Sequence, residues 1–536
     1  MALILSGNGD ITGLDPALFQ SNEMGYTPAG TGAVATTVQA KLRESVSVKD
    51  FGAVGDGVAD DTAAIQAAID ANKGKTIIFP AGNTFNAAGV TLSGSTYNNT
   101  KLVIQGTFLL KARSSPSNWN WVGSVYAGII LHDCEGVSVD VVGMMDGNRS
   151  NQPNTTVQDQ QCHCLILWGV RNFVIPQFNA KEVRGDGIAI STATNIAPIS
   201  TNSKNGYIGP VHIVNSADDG RNAVSIVSGE DITFAGGTSI KVGGTIGGVL
   251  MPGGFDIESD GNWHLVKNIS CGSWVIQSAG SSGFACIGHA ITNDAARDWN
   301  TENIAILPSV ITNTGGIGYP IFKRNRAVIA EFISTQTGAR TPNTDIDYQD
   351  FSNFKITTKN ATSAIVIGFD NYVNDSVIHG IVQDHNAAGF LVVGANRTKI
   401  SGVVRGGQGA GSYGVQASPA GRGAVTQVDV TYSVDVPNDN NNTFGFISSA
   451  GITFTDCNIA NCSMNGYAGF ATQVGLNVFL NSRNVLGRNF ASAVPPSGYW
   501  TVGDRVQNTV PVVGQPKGWV CTVSGSPGTW VSEGNL

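Results

Sequence analysis

Charge is scarce in this chain: Asp, Glu, Lys and Arg together make up 13% of its 536 residues, and they sum to a net charge of −8. A surface that reads a phosphate backbone needs clustered Lys and Arg, so no nucleic-acid partner is expected. Apolar runs of membrane-spanning length are missing, and Met1-Ala-Leu-Ile-Leu5 lacks the basic start and long apolar stretch of a secretory signal. Neither membrane insertion nor export by that route is expected. The eight cysteines are scattered, without the dense spacing of a disulfide scaffold, and read as reduced, packed thiols. Cys162-His-Cys164 lacks a second pair at finger spacing, so it reads as packed strand residues, and no metal or cofactor is expected. No Gly-x-Ser-x-Gly elbow occurs, which argues against a serine esterase.

What the chain has instead is glycine, 68 residues of it, beside 41% hydrophobic residues. Many glycines mean many tight turns, and this length exceeds one ordinary core, so an all-β, turn-rich repeat array is expected. The repeats are visible. Ile129-Ile-Leu-His-Asp-Cys-Glu-Gly-Val-Ser-Val139 returns 36 residues later as Leu165-Ile-Leu-Trp-Gly-Val-Arg-Asn-Phe-Val-Ile175. A Gly-apolar start recurs at Gly187, Gly254, Gly283, Gly389 and Gly414, with Asn222-Ala223 read in the same role, at spacings that fall from 35 to 25 residues. Periods in this range, with Val/Ile alternation and no long helices, predict coils of a parallel β-solenoid with a continuous stacked core. The longest periods lie between about 130 and 300, and extra loop length on one face of a solenoid is where binding surfaces are built.

Three segments follow from this reading. Residues 1–47 are Gly-, Thr- and Ala-rich and read as a neck or stalk, with a short helix within Thr36 to Val46. Residues 48–490 form the solenoid trunk, which fades through the Asn-rich turn 437–442. Residues 491–536, with Tyr499-Trp, Gly518-Trp and Trp530, form a small β module whose aromatics serve its own core or assembly, or stack on sugar.

The trunk opens with Val48-Lys-Asp-Phe-Gly-Ala-Val-Gly-Asp-Gly-Val-Ala-Asp-Asp-Thr62, where Asp60 or Asp61 caps a helix Thr62–Ala71 with Ile65 and Ile69 on one face, followed by a strand Thr76–Phe79. This order resembles the opening of the right-handed parallel β-helix in pectate-lyase-like and polygalacturonase-like proteins, where a short helix plugs the N-terminal end. With Gly25-Tyr-Thr-Pro-Ala-Gly and Lys41-Leu-Arg-Glu44 before it, the chain resembles bacteriophage tailspike depolymerases. The C-terminal module is similar to those that end many tailspikes and to carbohydrate-binding modules. The resemblance implies a homotrimer in the virion tail, assembled in the host cytoplasm, joined through its N-terminus to the tail or another tail protein, and acting on a bacterial surface polysaccharide.

Chemistry is expected first at Gly253-Gly-Phe-Asp-Ile-Glu258. Asp256 and Glu258 are two apart on a strand, so both leave one face with roughly 6.6 Å between backbone positions. Glycoside hydrolysis uses two carboxyls, and this spacing leans to the wider, inverting separation of about 6.5–9.5 Å. Aligning the repeat starts places Asp186, then Asp218, Asp219 and Arg221, on coils adjacent to them. Crowded carboxylates raise one another's pKa values, which a general acid at neutral pH requires. The stretch Arg221-Asn-Ala-Val-Ser-Ile226 followed by Phe255-Asp-Ile-Glu258 resembles a paired motif of tailspike depolymerases, with Phe255 in place of an Ile and Ser259 in place of the usual Pro. Asp256, Glu258 and Asp219 are the expected catalytic residues. Arg221, Asp186, Trp263, His264 and Trp299 are the expected substrate-binding residues, the two Trp as stacking platforms, and His264 or His289 is an alternative base. Two rival readings stay open: a polysaccharide lyase on the same fold, and a receptor-binding spike without catalysis.

Overall fold

The structure, a computed structural model, describes in the main residues 24–113, 125–192, 201–261 and 264–407, with short breaks between 279 and 386, then strands between 413 and 491 and most of 502–536. The trunk is a single-stranded parallel β-helix. Its strands join one 38-stranded sheet system, each coil pairing in parallel with the next, and the crossovers take the right-handed sense such connections adopt.

The solenoid begins with the strand Ser45–Ser47, parallel to Thr76–Phe79 and so three residues inside the segment read as neck. The neck helix is short: α1 spans Val38–Leu42, with the Thr37 hydroxyl accepting from the Ala40 amide at 3.0 Å. The capping helix α2 is Thr62–Ala71, as its spacing predicts, and Ile65, Ala68 and Ile69 on its inner face are fully buried. The two aspartates before it divide the work. Asp60 accepts from the Thr62 amide at 3.1 Å, while the buried Asp61 turns back to accept from the amides of Val54 (2.6 Å) and Gly55 (3.1 Å), tying down the Gly-rich loop.

The face that carries the candidate site is built from successive parallel strands: β1 (Val90–Ser93), β2 (Tyr126–His132), β3 (Cys162–Trp168), β4 (Ile188–Ser191), β5 (Val224–Ile226), β6 (Phe255–Glu258), β7 (Phe284–Ile287), the first part of β8 (Ile321–Gln336), whose second part runs on into another face, and β9 (Thr344–Asp350). The 36-residue repeat is the true register, since Ile129 pairs with Leu165 and His132 with Trp168. One expected alignment is corrected. Ile188 pairs with Val224, not Ala223, so the coil start is Ala223-Val224. A one-residue slip turns side chains to the opposite face of a strand, which is why this register matters for the site.

Alternate residues of each strand point inward, and most buried apolar side chains form a main core cluster from Val48 to Val404, with two small clusters beside it around Tyr126 and Ile130. Behind the candidate site it is aromatic: Phe255 stacks on Phe284 with centroids 5.1 Å apart and meets Trp274 edge-on at 5.2 Å. Glycine at the coil starts is a packing demand. Gly254 has φ +63, and a Cβ there would lie 2.0 Å from the Gly283 carbonyl oxygen.

Where this face turns to the next, each coil places one residue in the left-handed region. Asn172, Asn205, Asp231, Asn268 and Asn303 occupy this corner with φ between 50 and 56. Asn and Asp tolerate that conformation, and their amides link neighbouring coils, as where Asn303 Nδ2 donates to Asn268 Oδ1 at 3.0 Å.

Past the Asn-rich turn, which lies outside the described residues, strands Thr453–Thr455 and Val478–Leu480 still pair in the array. A separate four-stranded sheet then contains Asn489–Ala491, Arg505–Asn508, Gly518–Val523 and Thr529–Ser532. Trp519 is buried in it beside Val506 and Cys521, so this aromatic belongs to the module's core.

Candidate active site: a carboxylate wall around Arg221

Phe255 and Ile257 of β6 point into the core, so Asp256 and Glu258 emerge together on the outer wall. Their exposure differs. The Asp256 side chain is 1% exposed and that of Glu258 38%. One guanidinium nitrogen, Arg221 Nη2, lies 3.9 Å from Asp256 Oδ2 and 3.7 Å from Glu258 Oε2. The other, Nη1, donates to Asp186 Oδ2 at 2.7 Å and to Ser225 Oγ at 3.0 Å. Ser225 is the residue of β5 directly paired with Asp256.

These surroundings separate the carboxyls. Burial, then the charge of Glu258, pushes Asp256 well above the usual carboxylate range, more than Arg221 can offset. Asn222 Nδ2 donates to its Oδ2 at 3.1 Å, whereas its buried Oδ1 has no hydrogen-bond partner among the described residues. A raised proton affinity suits a proton donor, and this carboxyl is enclosed in the wall beside the more exposed Glu258. For Asp186, burial also pushes upward, but Arg221 and His163 outweigh it and keep the carboxyl below its usual range. Burial opposes the charge on Arg221, yet Asp186, Asp256, Glu258 and Asp260 together hold it firmly protonated. Asp260 is exposed as a residue at the rim, but burial of its carboxyl and the Glu258 charge push it up to about 6.

The structure therefore unites Asp186, Arg221, Asp256 and Glu258, and it rearranges the other expected residues. Asp219 does not join the wall. Its Oδ2 accepts from Arg149 Nη1 at 2.8 Å and its Oδ1 accepts from Arg184, so two guanidinium groups occupy the carboxylate proposed as a base. Asp186, expected to bind substrate, is 1% exposed, and its carboxylate meets Arg221. His264 is buried as well, its Nδ1 accepting from the Asp260 amide at 3.1 Å, and burial followed by the charge of His289 lowers it to about 4. His289 is exposed just beyond β7, its amide donating to Asn300 Oδ1 at 3.0 Å, and the half-buried Trp299 adjoins that asparagine. Trp263 lies outside the described residues.

Two participants were missed. Asn222 was read as a coil start, and the register shift turns it toward Asp256. His163, read within a weak metal pattern, has Nδ1 3.0 Å from the Asp186 amide and 3.2 Å from its carboxylate. Its neighbours Cys162 and Cys164 are buried, and burial pushes the Cys162 thiol up to about 12, unlike a thiolate ligand.

Long loops flank the upstream ends of these strands. Arg149, in the loop before β3, bridges Glu182 and Asp219, and Asn154 in the same loop accepts from the Gly247 amide at 2.8 Å. The loops before β3, β5 and β6 thus brace one another beside the wall.

A parallel β-helix with a capping helix and a carboxylate wall bordered by long turns is similar in architecture to pectate-lyase-like proteins. Residues 45–251 match the family model described as rhamnogalacturonase A/epimerase, pectate lyase-like. A probable polygalacturonase of Arabidopsis thaliana is 28% identical over 30% of this chain and 37% of its own length. A mannuronan C5-epimerase of Azotobacter vinelandii is 35% identical over 20% of this chain and 8% of its own. The chain thus spans little over a third of the first relative and less than a tenth of the second. Among solved structures, a tailspike protein variant of E. coli bacteriophage HK620 in complex with a pentasaccharide aligns over 96% of both chains with a TM-score of 0.57 and 13% identity. A double variant of the same tailspike aligns over 86% of this chain and 83% of that one, with a TM-score of 0.55 and 14% identity. At such identities the likeness is one of fold.

Proposed function

We propose that this protein is a phage tailspike that binds and depolymerises a bacterial surface polysaccharide, capsule or O-antigen, by glycosidic hydrolysis. The observation that carries the reading is the unequal pair on β6. Asp256 is a buried carboxyl whose proton affinity burial raises, Glu258 is a part-exposed carboxyl beside it, and Arg221 reaches both. In this mechanism the Asp256 carboxyl, uncovered by a local movement of the wall that encloses it, gives its proton to the glycosidic oxygen as the bond to the leaving sugar breaks, and Glu258 takes a proton from the water that attacks the anomeric carbon. Arg221 Nη2 lies 3.7 Å from Glu258 and 3.9 Å from Asp256, while Asp186 holds its other terminal nitrogen. A lyase would need a base, and a guanidinium held protonated by the carboxylates around it, Asp186 first, is poorly suited to that task.

Assembly as a homotrimer, with residues 1–47 joining the tail, accompanies this proposal. Val275, Val310 and Ile333 pair on successive coils of another face and are 49%, 39% and 48% exposed, an outward apolar ladder suited to burial between copies.

The test is mass spectrometry of fragments released from a panel of purified capsules and lipopolysaccharides, with wild type, Asp256→Asn and Glu258→Gln. Saturated oligosaccharides with new reducing ends, lost in both variants while binding persists, are expected. Full activity in both variants overturns the assignment. Products carrying an unsaturated uronate select the lyase, and binding without shortening selects the receptor.

A further inference from the structure

The left-handed corner described above departs from Asn and Asp at Ala327, Phe351 and Arg397; Arg397 is held by the Asp375 carboxylate of the coil before it, whereas Phe351 carries an apolar ring. Phe351 continues the column: Glu302 pairs with Arg326 and Arg326 with Asp350, so Phe351 stands where Asn303 does two coils earlier. It has φ 49, the left-handed conformation that Asn and Asp accept and that is an outlier for a large aromatic. Burial does not compensate, since Phe351 is 57% exposed. A strained backbone carrying an exposed ring is a combination that stability alone disfavours, and such strain concentrates at ligand sites. The guanidinium of Arg326 lies 5.6 Å from the ring centroid, so the ring has a polar companion holding several N–H donors.

The position relative to the catalytic pair is set by register. Glu258 pairs with Ile287, Ile287 with Lys323 and Lys323 with Asp347, four residues before Phe351. Three coils correspond to about 14 Å along the axis at the usual strand spacing. With four further residues along the strand, about 13 Å at the usual rise, Phe351 stands at the edge of this face roughly 19 Å from Glu258, a span of several sugar units of a polymer passing β6.

We infer that Phe351 and Arg326 form a remote sugar-binding platform, the ring stacking on the apolar face of a pyranose and the guanidinium donating to its hydroxyl or carboxylate groups. The inference rests on the polysaccharide reading above and deepens it, giving the protein a reason to prefer long chains.

The experiment compares wild type, Phe351→Asn and Phe351→Tyr on the polysaccharide that wild type cleaves in the panel and on the shortest fragment of it still cleaved. For Phe351→Asn, KM for the long chain is expected to rise about fivefold, the loss of one aromatic contact, with kcat little changed and the short fragment unaffected. Its melting temperature is expected to rise, because Asn relieves the corner. Phe351→Tyr keeps wild-type values. Equal KM for wild type and Phe351→Asn on the long chain overturns the platform while leaving the hydrolase reading intact. So does an equal rise for long and short substrates, or separation into protomers with unchanged cleavage, which would make Phe351 an assembly contact. If wild type neither binds nor cleaves any polysaccharide in the panel, the functional reading falls and the platform with it.

Discussion

Asp186 Oδ2 accepts from Arg221 Nη1 at 2.7 Å, with both side chains nearly enclosed in the wall beneath Asp256. This ion pair keeps the guanidinium at 3.9 Å from Asp256, close enough to steady the wall but not to form a short pair that would strip the acid of its proton. Asp186→Asn releases Arg221 toward the catalytic carboxyls and also removes a negative charge that raises Asp256. Both changes lower the Asp256 pKa, so the basic limb of the pH–rate profile is expected to move to lower pH. Activity at neutral pH should fall by about a hundredfold, the scale of a small displacement at a reacting group. An unmoved limb would separate Asp186 from this role.

Asp256→Asn is expected to lower kcat by about a thousandfold, the contribution of a positioned general acid, with polysaccharide binding preserved. The same variant should be more stable than wild type. In the folded state the Asp256 pKa is raised, so the native protein binds the proton more tightly than the unfolded chain and loses stability as pH rises above the unfolded value. Melting curves from pH 3 to 8 should show the advantage of Asn growing with pH and vanishing at the acid end.

Asp219→Asn should separate stability from chemistry. It leaves the guanidinium groups of Arg149 and Arg184, 9% and 4% exposed, short of a shared carboxylate. Breaking such a buried network costs about 3 kcal/mol, to be read in chemical or thermal unfolding. Turnover per folded molecule should stay within a fewfold of wild type. A loss as deep as that of Asp256→Asn would restore Asp219 to the catalytic set.

His264 gives a pH prediction of opposite sign. Burial lowers it to about 4, so the unfolded chain binds its proton first and stability is lost as pH falls from the ordinary histidine range through 4. A His264→Gln variant should show a shallower acid-side loss, and imidazole NMR should find no His264 titration between pH 5 and 8. A midpoint near 6.5 would contradict the buried environment.

Much of the architecture was legible because its signals are local and periodic. The match of Ile129–His132 to Leu165–Trp168 is a register, since each coil must stack its inward rows on the last. The capping helix announced itself through Ile65 and Ile69, and the wall through the alternation Phe255-Asp-Ile-Glu258. Where a coil start lacked glycine, at Ala223, the alignment slipped by one and hid Asn222. What the sequence did not show at Asp219 has another reason: spacing placed it on the right coil, but two arginines, one from the Arg149 loop 70 residues earlier, donate to its oxygens.

The sequence by itself determined the solenoid, its cap and the strand that presents Asp256 and Glu258, because side-chain alternation and repeat length act along the chain. Only the tertiary structure decided that Asp256 is enclosed while Glu258 meets solvent, that Arg221 is shared with Asp186, and that His163 stands behind them. Those facts depend on loops from different coils closing over one another, and no spacing within a single repeat encodes the burial that sets a carboxyl's proton affinity.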